Sequence, residues 1–162
     1  MKLMIEKADI RLDDEMIAAV QSSLSVQFAR AFVMFVKDHD GVVPPNNSFR
    51  ISSKNHSGVT QFIALSDISR QAEFLSPSVT RAFFPFAFAE GGNFVCMARS
   101  DDAAVYFYDH EIDGMAALTR IAKSFEEFMG ALELFDVASV VLAPGQVISV
   151  WIDPDFLSDL KS

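Results

Sequence analysis

Three kinds of side chain in this sequence could take part in chemistry: three histidines, one cysteine, and several carboxylates in pairs or flanking an imidazole. His39, His56 and His110 are far apart in the chain. None stands in an HExxH or HxH spacing, so only the fold could bring them around a metal. Asp109-His110-Glu111 sets two acids about an imidazole, the residue types of general acid–base catalysis. Consecutive side chains on a strand alternate faces, so these three do not converge without a bend. The run therefore reads as a polar strand end or exposed recognition edge. Asp101-Asp102 falls in a turn, and Glu126-Glu127 opens a helix, where acids suit the positive end of the dipole. Gly91-Gly92 lacks the lysine and the spacing of a phosphate loop and reads as a hairpin turn needing positive φ. Cys96 is alone, which excludes an internal disulfide and a four-thiolate zinc site, and inside Phe94–Arg99 it reads as a small buried hydrophobe. No GxSxG nucleophile elbow is present. These residues predict no catalytic group, no metal centre and no cofactor, and hence a protein that is not an enzyme.

The charge points to binding. The 162 residues carry a net charge of −9, and residues 1–89 balance nine acids against nine bases. Residues 90–136 hold ten acids against three bases, so the negative field arises mainly there. Nucleic-acid binders present a basic stripe; neither nucleic acid nor an anionic membrane is an expected partner. The amino terminus meets charge within six residues, and apolar runs such as Ala82–Ala89 fall far short of the ~20 residues that span a bilayer. With a lone thiol, this suits the cytoplasm.

The elements that must position these residues follow from periodicity. Asp13-Asp14-Glu15 opens a helix with Met16, Ile17, Val20 and Leu24 on its apolar face. Ser25 is a candidate N-cap for a second helix carrying Phe28, Phe32, Phe35 and Val36 and ending at Asp40-Gly41. Residues 44–58 read as loops around a short strand at Phe49–Ser52, and Val59–Leu65 reads as a strand. Ser66-Asp67 could cap a third helix running to about Leu75, with Pro77-Ser78 forming a turn after it. Phe83–Phe88, Phe94–Arg99 and Ala104–Asp109 read as strands joined by Glu90–Asn93 and Asp101-Asp102. Ser124-Phe125-Glu126-Glu127 has capping-box spacing and opens a helix bearing Phe125, Phe128, Met129 and Leu132. A last hairpin is expected at Val137–Leu142 and Gln146–Ile152, then a short helix over Asp153–Leu160. Helices first, strands in the middle and a helix after predict one α+β domain over 1–162 with a mainly antiparallel sheet. With sixteen phenylalanines in the chain, the expected core includes Phe28, Phe32, Phe84, Phe86, Phe94, Phe107, Phe125 and Phe128.

Three segments resemble the SUKH superfamily of Smi/Knr-like domains. Leu24-Ser25-Val26-Gln27-Phe28 through Phe32 to Asp40-Gly41 is similar to its opening helix, with Ser25 where a proline is usual and His39-Asp40-Gly41 in place of Asn-Gly-Gly. Phe83-Phe84-Pro85-Phe86-Ala87 through Glu90-Gly91-Gly92-Asn93 to Met97 resembles its most specific signature. Val105-Tyr106-Phe107-Tyr108-Asp109-His110-Glu111, then Ile121-Ala122-Lys123-Ser124-Phe125 to Phe128, resembles its aromatic strand and following helix. The resemblance covers about residues 13–135. It implies a curved, mainly antiparallel sheet with flanking helices, and an immunity protein that binds and neutralises a secreted bacterial toxin, often a nuclease. It equally leaves open a regulatory interaction module with a non-toxin cellular partner, the role of fungal relatives. Nucleases are basic where they hold substrate, so an acidic inhibitor can steer onto them. The candidate partner-binding residues are Glu90, Asp101, Asp102, Asp109, His110 and Glu111, the partner being a basic protein, a toxin domain on this resemblance. Hairpin connectivity puts alternate turns at opposite ends of a sheet, so Glu90 and Asp109-His110-Glu111 are expected at one end and Asp101-Asp102 at the other.

Overall fold

The computed structural model describes residues 5–133. Two helices precede the sheet. In α1 (Asp14–Leu24), the Asp13 carboxylate accepts from the Met16 N–H at 2.8 Å, and Ile17 and Leu24 turn inward. Met16, expected on the apolar face, is about half exposed. Ser25 does not cap a second helix. It ends α1 in the left-handed conformation (φ 51°), its N–H bonded back to the Gln21 and Ser22 carbonyls. The next helix, α2 (Arg30–His39), starts behind Ala29 with no side-chain cap. The Gln21 side chain instead accepts from the Phe28 N–H at 2.7 Å, so α1 satisfies the backbone just ahead of α2. Asp40 leaves α2 in an extended conformation, and Gly41, at φ 70°, turns the chain away.

Six strands then follow in chain order: β1 (Ser48–Arg50), β2 (His56–Phe62), β3 (Phe83–Ala89), β4 (Asn93–Ala98), β5 (Val105–Tyr108) and β6 (Leu118–Ala122). Each pairs antiparallel with its neighbour in that order. The expected α+β architecture with a curved antiparallel sheet is what the chain adopts. The curl is nearly barrel-like: Phe49 of β1 lies 6.1 Å, ring to ring, from Phe107 of β5. Beyond β6, α5 (Phe125–Ala131) is capped by Ser124, whose Oγ accepts from the Glu127 N–H, while Glu127 reaches back to the Lys123 N–H. The chain then returns to the edge of β1, where Glu133 and Ser48 exchange two backbone hydrogen bonds.

The sequence pattern does not announce β6, because Leu118-Thr119-Arg120-Ile121-Ala122 is half polar and borders a loop. Between β2 and β3 a 3-10 turn leads into a helix shorter than expected, α3 (Ile68–Ala72). Asp67 does not cap it; its carboxylate pairs with Arg70 on the next turn. Pro77-Ser78 is not a turn but the start of α4 (Pro77–Thr80), proline taking a first-turn position where no N–H is required. The hairpin expected over 137–152 and the helix over 153–160 lie outside the described residues.

Pro85 sits inside a central strand, where its missing N–H would break a ladder. The chain resolves this with a bulge: Pro85 opposes Cys96, and the next pair in register is Ala87 with Val95. On the other side β2 has already ended, Ile63 N–H to Phe86 C=O being its last bond to β3. β3 can therefore bury both faces. Phe32 of α2 packs within 6.3 Å of Phe28, Phe84, Phe86 and Phe125, and Phe86 also meets Phe62 and Phe128. On β5, Phe107 faces Phe49, while the Tyr108 hydroxyl reaches Ser76 ahead of α4. All eight phenylalanines named from the sequence are buried. Burying a phenyl group is worth roughly 1.5–3 kcal/mol, so these rings link helices and sheet into one core. No helix among the described residues is long and apolar enough to cross a membrane.

Candidate functional site

In an antiparallel meander the β1–β2, β3–β4 and β5–β6 connections gather at one end of the sheet, which we call the turn end, and the other connections at the opposite end. Between the three connections of the turn end lies a cleft of about 520 Å³. Glu90 and Gly91 from the β3–β4 turn line it, as do His56 and Ser57 from β2 and Asp109 from beyond β5; the Phe107 ring supplies an apolar wall.

Local chemistry builds each part of this end. Gly91 and Gly92 both have positive φ (75° and 82°), as the tight turn requires. Asn93 then ties two connections together. Its Nδ2 donates to the Glu90 carbonyl at 3.1 Å, and its Oδ1 accepts from the His110 N–H at 3.0 Å. The same oxygen lies 2.7 Å from His110 Nδ1. A backbone N–H can only donate, so the Asn93 atom facing it must be the oxygen. The imidazole nitrogen beside that oxygen must therefore carry a proton. This fixes the neutral ring in its Nδ1–H tautomer with Nε2 as the acceptor. From sequence, Asn93 reads only as turn chemistry; its role as a clamp requires β5 to end beside it.

Asp109 also has a local task. Its Oδ1 accepts from the Glu111 N–H at 3.0 Å, an Asx turn that bends the chain out of β5. This bend is the one the sequence argument requires before Asp109, His110 and Glu111 can leave strict alternation. The His110 ring is held by the Asn93 amide and not by either flanking carboxylate. Glu90 is positioned by a residue that sequence reasoning passes over. A Cβ built on Gly58 of β2 would stand 2.8 Å from Glu90 Oε1 and 3.0 Å from its Cδ. The glycine leaves room for the carboxylate to rest against the strand. None of the three ion pairs among the described residues involves Glu90, Asp109 or Glu111.

Asp101 and Asp102 lie at the opposite end, in the turn between β4 and β5. Asp102 accepts from the Ser100 hydroxyl, which with neighbouring backbone N–H groups holds its carboxyl below the usual range. Asp101 borders a separate groove with Arg30, Met34 and Lys37 of α2. Glu90, Asp109 and His110 are thus brought together, and Asp101 and Asp102 are not among them. Among the described residues, no three His, Cys, Asp or Glu side chains could hold a metal ion. Cys96 is fully buried, and burial pushes its thiol pKa far up, away from the thiolate a nucleophile needs.

A family model described as SMI1 / KNR4 family (SUKH-1) matches residues 11–131 of the chain. No curated protein matches it.

Proposed function

The chain belongs to the SMI1 / KNR4 family (SUKH-1), and on that premise we propose that it is a non-enzymatic immunity protein, one that binds and neutralises a basic toxin domain in the cytoplasm through the turn end of its sheet. The carrying observation is the cleft there, bordered by Glu90 and Asp109, neither of which meets a cation within the described fold. Carboxylates without an internal cation suit one brought by another protein, and their field raises the encounter rate with a basic surface. Glu111 follows Asp109 in the chain, its N–H bonded to that carboxylate, and His110 between them is clamped by Asn93. Asp101 and Asp102, at the far end, are not assigned to the contact. The reading needs no cofactor and no bound metal.

The test is growth. If a toxin gene stands beside this chain's gene, its product is expected to arrest cells when expressed alone, and co-expression of this chain is expected to restore growth and to yield a stoichiometric complex on gel filtration. A neighbouring toxin whose action persists in the presence of folded chain overturns the reading.

A further inference from the structure

We propose that the open edge of β6 is the docking surface for the chain's own residues 137–142, which add to it as an antiparallel strand in the gap between β6 and β1. The proposal is independent of the immunity reading.

Hydrogen-bond parity shows which backbone groups are open. In an antiparallel ladder, opposed residues alternate between pairs bonded to each other and pairs whose backbone groups point outward. The Asp109 N–H donates to the Ala117 carbonyl at 3.0 Å, which makes this a bonded pair and Phe107–Thr119 the next. Tyr106 opposes Arg120 one step further on, so the Arg120 N–H and carbonyl point away from β5. β6 pairs with no second strand among the described residues, and Arg120 is exposed. Across the gap, the bonds from Val59 N–H to the Asn47 carbonyl and from Ile51 N–H to the Asn55 carbonyl set the parity of β1. They turn the backbone of Ser48 and Arg50 outward. Ser48 has taken Glu133 as its partner, and Arg50 faces no strand among the described residues. A sheet edge of this kind is a template for another strand.

Three observations name the occupant. The first is where the chain goes. Glu133 and Ile121 of β6 line one cavity of about 170 Å³, so residue 134 starts beside the edge. Glu133 runs antiparallel to β1 and hence, like β6, away from the turn end. Residues 134–136 reach ~10 Å, enough to reverse the chain and too little for the crossover a parallel strand needs. The second is composition. Residues 137–152 carry no charge and include five valines and two isoleucines. An uncharged, β-branched run is an aggregation hazard unless its backbone is paired and its side chains are covered. The third is fit. Phe49, Ile121, Phe128 and Ala131 give the cavity apolar walls, and a strand along β6 offers every second side chain to that face. Val137-Ala138-Ser139-Val140-Val141-Leu142 supplies small and β-branched side chains of the size such a cavity takes.

The test uses the full chain, isotopically labelled, with amide exchange and proton–proton contacts read by NMR. The Arg120 amide is expected to exchange at least about 100-fold more slowly than an unprotected amide. The Thr119 Hα, which faces the added strand, should show a close contact to a residue within 137–142. A chain carrying both Val140→Pro and Val141→Pro loses a ladder donor in either register. Its Arg120 amide should return to within about tenfold of the unprotected rate, while the Thr119 amide, bonded to β5, stays slow and reports an intact fold. Fast exchange at Arg120 in the parent protein overturns the proposal, and so does a Thr119 contact to a residue outside 137–142. Protection that grows with protein concentration assigns the edge to a second copy. Protection that survives the two prolines, with Thr119 still slow, assigns it to another segment. Either result also overturns the proposal. Should the double variant lose its amide dispersion, the Thr119 contact in the parent protein decides.

Discussion

The two ends of the sheet use the same residue types in opposite ways. At the end bearing the β2–β3 and β4–β5 connections, charge is consumed within the fold. Arg99 donates from Nε to the Thr80 carbonyl at 3.0 Å and from Nη1 to the Leu24 carbonyl at 2.6 Å, joining β4 to the C-terminal ends of α4 and α1. Asp40 accepts from the Leu65 N–H, and Asp102 from the Ser100 hydroxyl. At the turn end the connections close through glycines, Asn93 and an Asx turn, and Glu90 is left without a cation among the described residues. The difference is that Arg99, Asp40 and Asp102 spend their charge on bonds within the fold at one end, whereas at the turn end Asp109 does so in its Asx turn and Glu90 remains available to a partner.

The largest expected effect would test the closed end. Arg99→Met keeps the apolar stem and deletes both charge-assisted hydrogen bonds to carbonyls, at a cost of about 2–3 kcal/mol. Urea unfolding should show the loss. Glu90→Gln and Asp109→Asn, measured alongside, should shift stability by no more than about 0.5 kcal/mol, since neither acid meets a cation among the described residues and asparagine keeps the oxygen that accepts from the Glu111 N–H. Comparable losses at the two ends would erase the contrast.

A kinetic effect of intermediate size would sharpen it. Charge reversal at the turn end, Glu90→Lys or Glu111→Lys, is expected to slow association with the toxin domain roughly 3–10-fold at low ionic strength and to flatten its salt dependence. Asp101→Lys and Asp102→Lys at the closed end should leave the association rate near that of the parent protein. Association slowed equally from both ends would mean that net charge alone steers the encounter and that no one end is the docking face.

Much of the framework is legible in the sequence because it rests on local signals. Ser124 caps its helix as its spacing implies, α1 starts at the acids Asp13-Asp14-Glu15 as expected, and the phenylalanine positions follow the period of each element. Ser25 and Asp67 each have the chemistry of a cap, but another group engages the backbone or the side chain concerned. Gln21 serves the backbone ahead of α2, and Arg70 takes the Asp67 carboxylate. At the candidate site, sequence can place Glu90 and Asp109 at one end through strand alternation. It cannot reveal the clamp by Asn93, the gap at Gly58 or the position of Ser57 in the cleft. Each of these depends on which strand lies beside which, and β6, whose connection to β5 walls one side of the cleft, carries too weak an alternation to be seen.

The smallest expected effect concerns an acid of the closed end and probes whether its use there is truly structural. Asp40 is half-buried at the end of α2, and its Oδ1 accepts from the Leu65 N–H at 2.8 Å. Burial raises its pKa, and the nearby Asp67 carboxylate adds to the rise, while the hydrogen bond from Leu65 opposes it. A carboxylate at a helix C-terminus also faces the negative end of the dipole. Because the folded-state pKa lies above the unfolded value, the folded protein holds this proton more tightly than the unfolded chain does. The stabilising contribution is therefore complete below the ordinary aspartate pKa of about 3.9 and is lost as pH rises through the raised value. An asparagine side chain at this position would offer the same acceptor oxygen to Leu65 without the charge. Asp40→Asn is thus expected to match the parent near pH 3 and to exceed it slightly at pH 7, read as the difference between the two proteins' urea midpoints at each pH, which cancels the titration of every other acid. A variant less stable than the parent at pH 7 would show that the charge itself holds Leu65, and that the closed end draws on ionic as well as hydrogen-bonding strength.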